Sequence, residues 1–110
     1  MSEEIRAILE KSGFMIHEDG DELELETWTD GGVNMFVQVN KKSIVADFSR
    51  YVKSFSVDEE IDNHRQAEDY KNAFTIRKAL NDFEAFEAKL KNILKELEST
   101  EYVDSIQGVA

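Results

Sequence analysis

The segment between residues 14 and 40 alternates apolar and polar side chains and contains two glycine turns. Asp19-Gly20 suits a two-residue hairpin loop of type I′, and Asp30-Gly31-Gly32 suits a three-residue loop. These loops predict the following opposed residues: Ile16 with Leu23, Phe14 with Leu25, Thr29 with Val33, Thr27 with Met35, Leu25 with Val37, and Leu23 with Val39. Both loops place the same apolar set on one face. Because a shift of one residue would turn that set outward, the agreement predicts a three-stranded antiparallel meander.

The opposite face of the predicted sheet is polar, acidic and partly aromatic. By alternation it carries Met15 and His17 on the first strand, Glu22, Glu24, Glu26 and Trp28 on the second, and Asn34, Phe36, Gln38 and Asn40 on the third. The three glutamates recur at every second residue, about 6.6 Å apart, a spacing comparable to that of successive phosphates along a nucleic-acid strand.

This pattern predicts a partner-binding face made of Glu22, Glu24 and Glu26 with Trp28, Phe36 and Met15 as apolar anchors. Two alternatives remain open. Acidic side chains on an exposed strand also keep strands from aggregating, without any partner. A C-terminal segment that covered the face would instead make Trp28 part of the core.

Four helices are predicted around the meander from apolar residues at helical spacing. They span about residues 3–11 with Ser2 as the cap, about 42–55, a short helix opened by the capping box of Ser56 and Glu59, and about 76–98 with Thr75 as the cap. Residues 99–110 have weak periodicity, which predicts a frayed tail, with docking through Tyr102, Val103 and Ile106 as the alternative. The fold class is therefore α+β in the order α-β-β-β-α-α-α, with the helices on one face of the sheet.

Length and charge limit the class of protein. The 110 residues suit a single domain over 1–110, and 24 acidic against 13 basic residues give a net charge of −11. Seven acids and no Lys or Arg fall within residues 12–40. This charge repels nucleic acid and anionic lipid, so we expect neither direct nucleic-acid binding nor membrane association. The chain has no cysteine, no secretion signal and no long apolar run, which predicts a soluble cytoplasmic protein.

The sequence contains no pattern typical of a catalytic site. Glu60 and His64 are four residues apart, as two metal ligands on one helix face would be, but His64 also follows the apolar stripe of Val57 and Ile61. We expect a histidine at the core edge, bonded to a carboxylate. The basic residues Lys41, Lys42, Arg50 and Lys53 are expected to be solvated or paired within the chain. We predict no catalytic residue, no metal site and no cofactor, and therefore a protein that is not an enzyme.

Three stretches resemble small acidic proteins carried on conjugative elements and phages of gut Firmicutes and Bacteroidetes. They are Trp28-Thr29-Asp30-Gly31-Gly32-Val33-Asn34-Met35, Val57-Asp58-Glu59-Glu60-Ile61-Asp62-Asn63-His64-Arg65-Gln66, and Phe74-Thr75-Ile76-Arg77. The resemblance covers about residues 28–90. It implies a mobile-element context, in which small acidic proteins often inhibit host defence or act as accessory factors, and it carries over no catalytic residue.

Together these features predict a non-enzymatic acidic interaction protein. Its acidic sheet face would engage a basic, nucleic-acid-binding protein, as a nucleic-acid mimic that inhibits a host-defence or other DNA- or RNA-binding protein. The alternative is a self-associating structural domain, a homodimer that buries Trp28, Phe36 and Met15.

Overall fold

The computed structural model describes residues 1–66 and 76–109, with side chains described for 1–64 and 76–100. Its elements in chain order are α1 (Glu3–Lys11), β1 (Met15–Asp19), β2 (Glu22–Trp28), β3 (Asn34–Asn40), α2 (Ile44–Ser54), α3 (Val57–Gln66) and α4 (Ile76–Val109). The three strands form one antiparallel sheet in the order β1-β2-β3. The predicted α+β class and element order are thereby confirmed.

Local side-chain hydrogen bonds set several helix boundaries. The Ser2 hydroxyl accepts the backbone N–H of Ile5 at 3.2 Å, which caps α1 as predicted. Ser56 accepts the N–H of Glu59 at 3.3 Å at the start of α3. The second helix begins at Ile44, two residues later than predicted. The fourth extends to Val109, beyond the end predicted near residue 98. The predicted cap Thr75 and the side chains of Tyr102, Val103 and Ile106 lie outside the described residues.

The register between β2 and β3 is the predicted one. Leu23 pairs with Val39, Leu25 with Val37 and Thr27 with Met35. The N–H of Thr29 donates to the carbonyl of Val33 at 2.9 Å across the three-residue loop. Gly32 closes that loop with a φ of +86°, a backbone conformation that favours glycine. The second hairpin therefore follows from its turn residues alone.

The predicted register between β1 and β2 is wrong by two residues. Ile16 pairs with Leu25 rather than Leu23, because the hairpin loop is Gly20-Asp21 and not Asp19-Gly20. Phe14 precedes the strand, and its N–H donates to the carbonyl of Leu9 at 3.0 Å at the end of α1. A shift of two residues leaves each side chain on its predicted face. The sheet faces are therefore as predicted, although the pairing within the first hairpin is not.

The core lies between the inner face of the sheet and the helices. Its fully or nearly fully buried members are Leu9, Phe14, Leu23, Leu25, Val33, Met35, Val37, Val39, Ile44, Val45, Phe48, Val52, Phe55, Ile61, Ala79, Phe83, Phe86, Leu90, Ile93 and Leu97. The inner residues of β2 and β3 and the stripes of α2 and α4 contribute to it, as predicted, whereas Ile16 of β1 is only partly buried against it. Ile76 lies at helical spacing with Leu80 and Phe83, which predicts a place on the apolar side of α4, but in the structure it is 60% exposed.

Among the described side chains, one carboxylate is buried with these apolar residues. Asp82 of α4 is 7% exposed and accepts two hydrogen bonds from the β2–β3 loop region. The hydroxyl of Thr29 donates to it at 2.6 Å and the N–H of Gly31 at 2.8 Å. Thr29 also accepts the N–H of Val33 at 3.0 Å. Asp82 therefore ties the end of the second hairpin to the longest helix.

No helix in the described part of the chain has both the length and the apolar character needed to cross a bilayer.

Candidate functional site: the outer face of the sheet

The outer face is the side of the sheet opposite the helices. It is formed by Met15, His17 and Asp19 of β1, Glu22, Glu24, Glu26 and Trp28 of β2, and Asn34, Phe36, Gln38 and Asn40 of β3. Cross-strand pairing arranges them in rows, such as Met15–Glu26–Phe36 and His17–Glu24–Gln38. The six residues predicted to bind a partner all lie on this face.

The large apolar side chains of the outer face are open to solvent. Met15 is 51% exposed, Trp28 44% and Phe36 45%. Residues of the core on the other side of the same strands are exposed by at most a few per cent. No part of the chain that the structure describes seals Trp28. The alternative that made Trp28 a core residue is therefore wrong for the described chain.

Asp19 adds a fourth carboxylate to this face, and the sequence pattern did not reveal it. The predicted turn placed Asp19 in the hairpin loop. In the structure it is the last residue of β1 and pairs with Glu22. Since Gly20 has a φ of +61°, it can occupy the first loop position and release Asp19 to the strand. The acidic end of the face thus contains Asp19, Glu22 and Glu24.

Neutral amide groups hold two of the glutamates in place. The Nδ2 of Asn34 donates to Glu26 Oε2 at 3.0 Å, and the Nδ2 of Asn40 donates to Glu22 Oε1 at 3.4 Å. His17 Nε2 lies 2.9 Å from Glu26 Oε1. An amide donor orients a carboxylate without cancelling its charge. The Asn40 amide therefore orients Glu22 without offsetting its charge, whereas both carboxylate oxygens of Glu26 already have partners in His17 and Asn34.

The pKa of Glu26 is lowered from its ordinary value of 4.5. The hydrogen bond with His17 is the largest cause and the hydrogen bond from Asn34 the second, while desolvation opposes them. Glu26 consequently stays ionised at neutral and mildly acidic pH. Glu24, at the centre of the face, makes no hydrogen bond or ion pair within the described residues, so its charge is not compensated by a contact.

The outer face has an acidic end and an apolar end. Asp19, Glu22 and Glu24 lie toward the first hairpin loop, whereas Met15, Phe36 and Trp28 lie toward the opposite end of the strands. Trp28 also borders a small cleft of about 80 Å³ formed with Ala85, Phe86 and Lys89 of α4 and with Thr29 and Asp30. A ligand of this face would therefore meet charge at one end and apolar surface at the other.

Lys41 and Arg50 are paired within the chain, and Lys42 and Lys53 are exposed, so these basic residues are paired or solvated as expected. Lys41 Nζ lies 3.6 Å from Glu18 Oε2, and Arg50 lies 3.2 Å from Asp47 Oδ1. Asp47 in turn accepts the N–H of Asn40 at 2.8 Å. These contacts belong to the edge of the sheet and to α2.

The Glu60 and His64 pair forms a contact at the core edge. His64 Nε2 lies 3.2 Å from Glu60 Oε2, and the His64 ring stacks on Phe83 with centroids 5.4 Å apart. The predicted bond between this histidine and a carboxylate is confirmed. Within residues 1–64 and 76–100, no cluster of three or more histidine, aspartate or glutamate side chains has the arrangement of a metal site.

Comparison with known proteins gives no relative from which a function could be transferred. No protein-family model matches the chain, and no curated protein or solved structure matches it significantly. The resemblance to small acidic proteins of mobile elements therefore stays a prediction.

Proposed function

We propose that this chain is a non-enzymatic interaction protein whose outer face binds a basic protein. The observation that supports this most is a continuous sheet face on which four carboxylates and three exposed apolar side chains lie side by side. Large exposed apolar residues rimmed by charge are typical of binding surfaces. The negative end would attract a basic partner and the apolar end would strengthen the complex once formed.

The partner class follows from the arrangement of charge. Glu22, Glu24 and Glu26 project from one strand about 6.6 Å apart, since alternate strand residues are two rises of about 3.3 Å apart. A protein groove that holds a nucleic-acid strand presents basic side chains to a similar row of negative groups. We therefore propose that the face imitates a nucleic-acid backbone and occupies such a groove. The resemblance to mobile-element proteins favours a host-defence protein as the one inhibited.

The fixed positions of the carboxylates favour this function over simple solubility. Solubility needs charge but no defined geometry. Here the amides of Asn34 and Asn40 orient Glu26 and Glu22, and their neutrality preserves the charge. Side chains that are already ordered lose less conformational entropy on binding. The cytoplasmic location expected from the sequence is compatible with such a partner and belongs to the same proposal.

A pull-down from the source cell with a charge-matched control would test this function. The immobilised wild-type chain and a triple variant, Glu22→Gln, Glu24→Gln and Glu26→Gln, are compared in parallel. The control carries Glu4→Gln, Glu84→Gln and Glu98→Gln, three exposed positions outside the outer face that remove the same charge. Proteins retained by the wild type and released by salt are purified and tested for binding of a labelled oligonucleotide.

We expect the wild-type chain to compete with the oligonucleotide for such a protein. The outer-face variant should bind at least tenfold more weakly, with a shallower salt dependence, because fewer charges contact the partner. The control variant should keep its affinity. An equal loss in both variants would mean that net charge alone matters. Retention of partners that bind no nucleic acid would reject the mimic.

A further inference from the structure

The outer edge of β3 carries unpaired backbone groups. The hydrogen bonds from Thr29 to Val33 and from Lys41 to Asp21 fix the ladder pattern between β2 and β3. In this pattern the odd-numbered residues of β3 bond to β2, and the even-numbered ones point their N–H and C=O away from it. The N–H of Asn40 is taken by Asp47 at 2.8 Å. The outward groups of Asn34, Phe36 and Gln38 make no hydrogen bond within the described residues.

This edge lacks the features that normally prevent strands from pairing. Edge strands are usually short, charged or interrupted by proline. The seven residues of β3, Asn-Met-Phe-Val-Gln-Val-Asn, contain no charge, no proline and no glycine, in a chain with 34% charged residues. The other edge strand, β1, is shorter and ends in Glu18 and Asp19, and Arg6 and Lys41 contact Glu18. Only one of the two edges is protected.

We propose that β3 pairs antiparallel with β3 of a second copy to form a six-stranded sheet. The outward groups of residues 34, 36 and 38 all find partners when Phe36 lies opposite Phe36 of the second copy and Asn34 lies opposite Gln38. This register also leaves the bond from Asn40 to Asp47 intact. It places aromatic beside aromatic, amide beside amide, and on the inner side Met35 beside Val37.

Electrostatics favour a second copy at this edge over any other meeting point on the sheet. Two chains of net charge −11 repel one another, and salt screens such repulsion over about 8 Å at physiological ionic strength. Because β3 is uncharged, two copies can approach there. Their β2 glutamate rows would stay three strand spacings apart, about 14 Å, which exceeds the screening length.

The side of the edge that faces α2 is accessible. An open groove of about 330 Å³ runs beside Gln38 and Asn40 and is lined on the helix side by Asp47, Arg50 and Ser54. At this end of the strand, α2 therefore does not cover the edge of β3. The arrangement differs from a homodimer that stacks two outer faces, because here Trp28, Met15 and the glutamates stay exposed.

Sedimentation equilibrium over a range of concentrations tests the dimer. We expect the mass to rise from 12.7 kDa toward twice that value. Gln38→Pro removes an outward N–H at an edge position that tolerates proline, and it should leave the chain monomeric and folded by circular dichroism. Gln38→Thr keeps the N–H and should dimerise like the wild type. If the proline variant does not fold, the crosslinking experiment below decides alone.

The absence of cysteine allows the register to be tested directly. Phe36→Cys should form an intermolecular disulfide under mild oxidation, because opposed residues of a hydrogen-bonded pair have Cα atoms about 5.5 Å apart, within disulfide range. Met15→Cys, on the same face but two strands away, should not. A monomer at concentrations up to about 100 μM would overturn the proposal, since even an interface with a Kd near that value would then be half formed.

Equal crosslinking of the Phe36→Cys and Met15→Cys variants would indicate face-to-face stacking and would also overturn the proposal. Gln38→Pro leaves Glu22, Glu24 and Glu26 in place, so this dimer and the proposed binding of a basic protein can fail independently.

Discussion

Replacing Asp82 with alanine should destabilise the fold, because it removes hydrogen bonds between α4 and the β2–β3 loop, which are far apart in the sequence. Asp82 is 7% exposed and Thr29 6%, so their hydrogen bond of 2.6 Å lies in the core. Alanine would leave the Thr29 hydroxyl without its acceptor and the Gly31 N–H without its carboxylate. The β2–β3 loop would lose its attachment to α4.

The expected loss in the free energy of unfolding can be worked out from these two hydrogen bonds. A hydrogen bond to a charged group contributes about 1.5–3 kcal/mol to stability. The bond from Gly31 is discounted because this residue is exposed and water can replace the carboxylate. Alanine also regains about 0.5 kcal/mol through its higher helix propensity. The net loss should be about 2–3 kcal/mol, which for a chain of this size lowers the Tm by about 10 °C.

Urea unfolding followed by circular dichroism would measure this loss. The matched control is Glu84→Ala, an exposed position on the same helix with the same change of charge, which should alter stability by less than about 0.5 kcal/mol. A double-mutant cycle with Thr29→Val isolates the Thr29–Asp82 pair. If Asp82→Ala matched Glu84→Ala, or if the two core substitutions were additive, the proposed attachment would be wrong.

Two further predictions concern pH. The pKa of Asp47 is lowered from its ordinary value of 3.8, chiefly by the hydrogen bond that the carboxylate accepts from the Asn40 N–H. The ionised carboxylate therefore stabilises the fold fully above pH 3.8, and this stabilisation is lost as the pH falls through the pKa of the folded state. Asp47→Asn should therefore be less stable than wild type at neutral pH, with the difference closing in acid, as measured by urea unfolding at several pH values; a constant difference would contradict this. Burial, and to a lesser extent Glu60, raises the pKa of Tyr51 from 10.0 to about 12, so the folded state loses stability as the pH rises through that interval. Tyr51→Phe should show a smaller alkaline loss of stability than wild type in thermal unfolding scans, and an identical loss would refute the assignment.

The candidate site was predictable from the sequence to the extent that it depends on alternation. Glu22, Glu24, Glu26, Trp28, Phe36 and Met15 share a face because successive strand residues point to opposite sides. Asp19 was missed because two turn positions satisfy the same local preferences. The amide contacts of Asn34 and Asn40 depend on cross-strand distances, which require the register as well as the alternation.

The unprotected edge of β3 could not be predicted from the sequence, for a different reason. The sequence shows that residues 34–40 carry no charge. It does not show whether this strand is central or at an edge, since a fourth strand could follow it in the sheet. In the structure the chain continues from β3 into α2, and β3 stays at the edge of the three-stranded sheet, so its outward backbone groups lie at that edge.

The sequence by itself determined which helices and strands form, their order and the two faces of the sheet, but not the end of α4. These depend on periods of 3.6 and 2 residues and on the glycine turns, which act over a few neighbouring positions. The tertiary structure alone decided the register of the first hairpin and the burial of Asp82. Registers that differ by two residues preserve the same faces, so the pattern cannot distinguish them. Contacts between residues distant in the sequence are needed to fix these features. The Thr27 hydroxyl donates to the Gly13 carbonyl at 3.0 Å beside the first hairpin, and Asp82 accepts hydrogen bonds from a loop about fifty residues earlier in the chain.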